Sequence, residues 1–118
     1  MMGWELLVDQ DGLVEVVIDH PLGSADAEHP DVLYELNDGL VRVRGLAKES
    51  HREWSAYVVG VYDPVMAFRG EVVAVIHRKD SADDKLVVAP EGMRFSKQQI
   101  KEMTYFQERF FDSEIELI

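Results

Sequence analysis

Two runs of apolar, mostly β-branched residues constrain this chain most: SAYVVGVY at 55–62 and VVAVIHR at 72–78. Both are short for core helices, and a nearly continuous apolar run of this kind predicts a strand covered on both faces. Weaker versions of the same signature recur, each bounded by turn residues. Met2–Val8 reads as a first strand and Leu13–Asp19 as a second. Between them, Asp9-Gln10-Asp11-Gly12 is a turn in which glycine is free to take positive φ. After an irregular acidic loop from Pro21 to Pro30, Val32, Tyr34 and Leu36 recur at every second position and predict a third strand. Asn37-Asp38-Gly39 predicts a hairpin turn, and Leu40–Arg44 the strand that leaves it, with Arg42 and Arg44 sharing a face. Lys48–Glu53 reads as a charged loop, and Leu86–Ala89 closes a set of about seven strands.

The period then changes. Ser96 and Gln99 form a capping-box pattern, which satisfies otherwise free N–H groups at a helix start. Ile100, Met103, Phe106 or Gln107, and Phe110 follow at helical spacing, with Tyr105 and Phe111 beside them, predicting a helix near 97–112. This stripe reads as the face that packs on the sheet. One helix after several short strands predicts a mainly β fold, a small barrel or strongly curled sheet with the helix laid on it. At 118 residues the chain is expected to form a single domain, 1–118.

Composition narrows the chemistry. Cysteine is absent, which excludes a disulfide framework, a zinc–thiolate site and a thiol nucleophile. The formal net charge of −11 opposes polyanionic partners, so neither nucleic acid nor an anionic membrane surface is expected. No apolar stretch approaches the ~20 residues that span a bilayer, and the N-terminus lacks the basic segment of a signal peptide. The expectation is a soluble, cytoplasmic protein. His20, His29, His51 and His77 match no common zinc spacing, and Trp4 and Trp54 read as packing residues. No Ser-His-Asp order or glycine-rich phosphate loop stands out.

The most charged short segment is IHRKDSADDKLVVAPEG, 76–92, which places Asp80, Asp83, Asp84 and Lys85 between two apolar runs. Two readings fit these residues. The first is a solvated hairpin tip, since Asp is a favoured turn residue. The second is a tip that holds a cation and an anion together.

A resemblance bears on that choice. Glu71–Gly92 resembles the soluble inorganic pyrophosphatases, above all short pyrophosphatase-like members carrying a stretch like AVIHR-D-DDKLVVAPEG. IDHPLGSADAEHPDVLYELNDG, Ile18–Gly39, resembles the family's ID-PLGS…HPD…Y-…NYG, and Phe95–Ile115 resembles its closing helix with FQE-FF-SEI wording. The resemblance runs from about Val14 to Ile115, three segments in the family's order. It implies a five-stranded closed barrel of the oligonucleotide-binding type with a C-terminal helix. It also implies magnesium-dependent hydrolysis of pyrophosphate, with manganese as a substitute, and assembly into a homo-oligomer. By resemblance, Asp80 and Asp83 fall on metal-binding carboxylates and Lys85 on a phosphate-binding lysine. Asp84 is a further oxygen donor, and Asp19 sits near a metal-facing glutamate.

Other positions depart from the family pattern. Its Asp-x-Asp-x-x-Asp signature, aligned on Ala56-Tyr57-Val58, becomes Ser50, Arg52 and Ser55, with Glu53 displaced by one residue. In a strand, that shift turns a side chain to the opposite face. Asn-Tyr-Gly-Tyr becomes Asn37-Asp38-Gly39-Leu40, and a Tyr-Lys pair becomes Glu114-Ile115. Replacing an acid by Arg52 turns a contact worth about 4 kcal/mol, at ~4 Å and an effective dielectric near 20, from attraction into repulsion toward a cation. A two-metal site must offset roughly +4 of charge, and one displaced glutamate does not do so.

The expected function is therefore a pyrophosphatase-like protein with a degenerate metal site. It would bind pyrophosphate or another small phosphorylated ligand, with at best weak hydrolysis. Lys85 and Arg52 are the phosphate-binding candidates, and Arg42 and Arg44 would join them if they converge. Two alternatives stand beside this reading. One is a slow working hydrolase that draws carboxylates from Asp9, Glu28 or Asp38. The other is a non-catalytic structural or interaction protein. No catalytic residue is assigned.

Overall fold

A computed structural model of the chain describes residues 3–43, 53–80 and 83–118. The strands are β1 (Val14–His20), β2 (Asn37–Val41), β3 (Ser55–Val58), β4 (Ala67–Arg78), β5 (Lys85–Ala89) and β6 (Ser113–Leu117), and the helix α1 (Lys97–Glu108) lies between β5 and β6. The sheet order is β1-β2-β3-β5-β4-β6, and β1 pairs with β4 as well. That extra pairing closes five strands into a ring and leaves β6 as an added edge on β4. The mainly β architecture with a closed ring of five strands matches the expected pyrophosphatase-type fold, related to the oligonucleotide-binding barrel.

Closure depends on β4, which is 12 residues long and serves three neighbours. Its first residues pair with β1, and the rest pair with β5 and β6. A register shift between Val72 and Ala74 lets the strand bend between these tasks. Gly39 is needed where β2 meets β1, because a Cβ there would lie 2.0 Å from the Val17 carbonyl oxygen. The close approach coincides with a register irregularity between Ile18 and His20 and sets His20 opposite Asp38.

Alternation along the strands builds two cores. Val14, Val16, Val41, Ala56, Val58, Val75, Leu86 and Val88 belong to one buried cluster drawn from all five ring strands, so it fills the ring. Tyr57, Val59, Ala74, Ile76, Val87 and Ala89 point the other way and meet Ile100 and Phe106 of α1. Ser96 caps α1 as expected: its hydroxyl accepts from the Gln99 N–H at 3.1 Å, and the Gln99 side chain accepts from the Ser96 N–H at 2.8 Å. Full burial of Ile100 contributes roughly 1.5–3 kcal/mol, more than the cap's ~1 kcal/mol.

Four expectations are corrected. The segment expected as a strand over Met2–Val8 contains instead a 3-10 turn at Trp4–Leu7, whose Leu7 is buried against the ring core. Val32, Tyr34 and Leu36 do bury the same face, but only an isolated bridge between Ala25 and Leu33 forms there, so the alternation reflects packing under α1 without a ladder. Asn37-Asp38-Gly39 is not a turn: these residues open β2, because Gly39 serves close strand approach and not a positive φ. The helix ends at Glu108, and the chain then turns into β6, making six strands among the described residues. Among those residues, no helix is long and apolar enough to cross a membrane.

Candidate functional site

The polar residues lie in the layer between the ring and α1. Lys85 opens β5 and shares its face with Val87 and Ala89, so its side chain enters the layer under the helix and is only 5% exposed. Strand register decides its company. Asp38 of β2 lies opposite His20 of β1 on one side and opposite Tyr57 of β3 on the other. Lys85 Nζ forms an ion pair with Asp38 Oδ1 and sits 4.4 Å from the centre of the Tyr57 ring. Burial pushes the Asp38 carboxyl up and the Lys85 ammonium down, and the attraction between them offsets each shift only in part.

The exposed side of this row carries a second carboxylate. His20 Nδ1 lies 3.0 Å from Asp19 Oδ1 and 3.4 Å from Asp38 Oδ2, and its ring stacks on Tyr34 at 4.8 Å. Despite these close charges, His20 Nδ1 and Asp38 Oδ1 are buried atoms without a hydrogen bond of good geometry. Asp19, His20 and Asp38 each offer a ligand atom, all within 4.8 Å of one another. Two carboxylates and an imidazole suit one divalent ion. The nitrogen donor favours manganese or zinc over magnesium, which prefers an all-oxygen shell. Among the described residues no other such group forms, so the donors fit one ion and not a pair.

Behind the row lies a second buried ion pair. Arg78 Nε donates to Glu108 Oε1 at 3.1 Å, a second guanidinium nitrogen pairs with Oε2, and the Phe111 ring lies 4.0 Å from its carbon. The Tyr57 hydroxyl is 2.6 Å from Glu108 Oε2 and 2.5 Å from Gln107 Oε1, and its single proton serves one of these acceptors at a time. Burial and the adjacent Glu108 carboxylate hold the Tyr57 hydroxyl far above its ordinary value, so it stays protonated. Gln107 Nε2 donates to Tyr34 Oη at 3.0 Å and to Asp26 Oδ2 at 3.2 Å, tying α1 to the 21–36 loop. Burial opposes ionisation of Asp26, but hydrogen bonds from the Glu28 N–H and Gln107 prevail and hold its pKa low.

The residues singled out from sequence are dispersed. Asp19 joins the row with Asp38, and Lys85 lies behind them. Asp84 Oδ2 instead lies 3.0 Å from His77 Nδ1, and Asp80 accepts from the Asp112 N–H at 3.2 Å. Asp83 is exposed. Arg42 is engaged with Glu15 at 2.9 Å, while Arg44, Ser50, His51 and Arg52 lie outside the described residues. Asp9 is held by Arg69, and Glu28 donates its N–H to Asp26 from an exposed position, so of the alternative donors only Asp38 reaches the row.

Sequence reasoning missed His20, Arg78, Tyr57, Gln107 and Glu108 as members of this layer. A signal existed for Glu108, because it follows Ile100 and Thr104 at four-residue spacing on the buried face of α1. A charged residue on that face requires a buried partner.

Comparison with solved structures agrees with this architecture. The inorganic pyrophosphatase of Ehrlichia chaffeensis superposes with a TM-score of 0.65 at 16% identity, covering 95% of this chain and 90% of the other. An inorganic pyrophosphatase from Coxiella burnetii gives 0.59 at 16% identity, covering 94% and 86%. One from Neisseria gonorrhoeae gives 0.53 at 19% identity, covering 88% and 79%. No protein-family model and no curated protein sequence matches the chain. A ring of five strands, an added edge and a helix over a buried polar layer thus carry, at low sequence identity, the fold of the inorganic pyrophosphatases.

Proposed function

We propose that the protein is a pyrophosphatase-like domain that binds one divalent cation and a small phosphorylated ligand, pyrophosphate above all, and hydrolyses it slowly at best. The observation that carries this reading is the row Asp19–His20–Asp38–Lys85. A buried ammonium and a three-donor cation group share one carboxylate, Asp38. Asp19, His20 and Asp38 would hold the cation, and with Asp38 shared in this way Lys85 would be available to a phosphate oxygen. When bound, the cation would neutralise phosphate charge and polarise the ligand. Within the protein, Lys85 supplies fixed positive charge in a dry setting, where it counts for more than in water. Tyr57 keeps its proton and holds Glu108 and Gln107 in place beneath. A single cation group gives little means to activate a water and stabilise a leaving group together, hence the slow rate.

Calorimetric titration with Mn²⁺, then with pyrophosphate, tests the binding. Pyrophosphate should bind in the presence of Mn²⁺ and fail to bind in EDTA. Phosphate release from pyrophosphate with excess Mg²⁺ or Mn²⁺ should stay below ~10 s⁻¹, an ordinary enzyme rate. Turnover above that makes the protein a working diphosphatase. Absence of both heats leaves only a structural role for the fold.

A further inference from the structure

A second surface, on the far side of α1, is independent of that reading. Lys97, Lys101, Tyr105 and Arg109 fall at every fourth position of α1 and its C-cap, so they form one stripe along the helix. All four are exposed. They form one wall of a groove of about 490 Å³ whose other wall is Asp112 and, in β6, Ser113, Glu114 and Ile115.

Among the described residues, most cations outside the stripe are paired, with exposed Lys79 the exception. Arg42, Arg69, Arg78, Lys85 and Arg94 are all held in ion pairs. Lys97, Lys101 and Arg109 form none with another described residue. One of them also opposes the helix dipole, since Lys97 is the first residue of α1 and the first turn holds no acidic residue. Positive charge at a helix N-terminus is unfavourable, so the chain keeps Lys97 there at some expense.

The opposite wall is an open sheet edge. Among the described residues, β6 pairs with β4 and with no other strand. The register places Ile115 opposite Ile76, and the Lys79 N–H donates to the Asp112 carbonyl as the Ile118 N–H does to Val73. By antiparallel alternation, Asp112, Glu114, Glu116 and Ile118 turn their backbone groups toward β4. Ser113, Ile115 and Leu117 turn theirs toward the open side. An open edge of this kind is a template for another strand.

We propose that this groove docks an extended acidic segment of a partner protein as a seventh strand on β6, with its acidic side chains facing the stripe on α1. Charge complementarity selects that occupant. Side chains alternate, so every second residue of the added strand faces Lys97, Lys101 and Arg109 and is acidic. The residues between them share the face of Glu114 and Glu116 and are neutral or basic. A second copy of this chain does not fit, because antiparallel pairing of two β6 strands about Ile115 sets Glu114 against Glu116 on one face and leaves the stripe unused. Nucleic acid matches the stripe but offers nothing to the backbone edge, and a net charge of −11 repels it.

Fluorescence anisotropy with a labelled nine-residue peptide of alternating glutamate and threonine tests the proposal on the full chain. The peptide should bind saturably, and the same peptide with lysine for glutamate should not. The triple variant K97E/K101E/R109E, altered only at exposed positions and checked for fold by circular dichroism, should weaken binding at least tenfold. Two N-methylated series separate docking on the edge from loose attraction. Methylation at every threonine and methylation at every glutamate should differ, with one series abolishing binding and the other sparing it. Equal binding by both series, unchanged binding to the triple variant, or tighter binding of a nine-nucleotide single-stranded DNA lost in that variant would each overturn the proposal.

Discussion

The end of β4 and the start of β5 send neighbouring residues into opposite environments. Arg78 and Lys85 enter the layer under α1, where their side chains are 10% and 5% exposed. His77 on β4 and Asp84, the residue before β5, emerge on the other side and pair with each other while 43% and 27% exposed. Both groups are charged, and both are legible as a charged turn. Inside, each cation has a fixed carboxylate and no alternative partner in water. Outside, solvent competes for every contact. Burial, and not the number of charges, therefore sets what each group is worth.

Removing a partner from the inner set gives the largest expected effect. Glu108→Ala strands Arg78 and removes an acceptor of Tyr57, and should cost roughly 3–5 kcal/mol by urea unfolding. A loss below ~1 kcal/mol would reduce the pair to the rank of a surface contact. Lys85→Met should cost a similar amount by leaving the buried Asp38 carboxyl without its counter-charge, so that it must be kept charged or protonated at a cost. Adding Asp38→Asn should recover most of that loss, since the uncompensated charge disappears with it. The double-mutant cycle measures this coupling, and simple additivity would show that the two residues do not act as a pair.

The contrast also shows what a sequence reveals. Ring strands β1, β3, β4 and β5 were legible because Val14, Val16, Ala56, Val58 and their like carry the β-branched or small apolar character that burial demands. The helix start was legible from Ser96 and Gln99, whose cap is a local interaction. The 3-10 turn at Trp4–Leu7 was not, because its length and composition match a strand and only the ring core's apolar surface asks for Leu7. Lys85 and Asp19 were legible as site candidates by resemblance. Their link through Asp38 and His20 was not, because it depends on which residues the β1–β2 register sets opposite each other. Asp38 in particular sits in a sequence that signals a turn, and its burial follows from Gly39 admitting β1 at close range.

A smaller effect sharpens the comparison between the two carboxylate groups. Asp80→Asn, Asp83→Asn and Asp84→Asn should each change stability by no more than ~0.5 kcal/mol, as exposed or half-exposed substitutions do. Mn²⁺ titration of the combined triple variant should retain the heat of the parent. The pair Asp19→Asn and Asp38→Asn should lose it. The reverse outcome would assign the cation to the β4–β5 turn.

The smallest effect is a pH dependence at His77. Its Nε2 lies 2.8 Å from Glu116 Oε1 and its Nδ1 3.0 Å from Asp84 Oδ2, while Glu114 lies across from it on β6. The hydrogen bond to Glu116 raises its pKa most, burial opposes that, and Asp84 adds to the rise. The protonated ring bridges two carboxylates and fastens the edge strand β6 and the β5 start to β4. Because the folded pKa exceeds the unfolded value of about 6.5, this stabilisation is complete below that pH and disappears as pH rises through the folded pKa. The ring is 43% exposed, so the bridge is worth no more than ~1 kcal/mol. His77→Asn should therefore destabilise the protein slightly at pH 5.5 and leave it unchanged at pH 8.5, with the gap narrowing in 0.5 M NaCl. An NMR titration of the ring should show a midpoint above 6.5. A midpoint below that, or a stability difference that grows with pH, would mean the imidazole sits between these carboxylates uncharged, and the outer side of the turn would contribute nothing electrostatic to the fold.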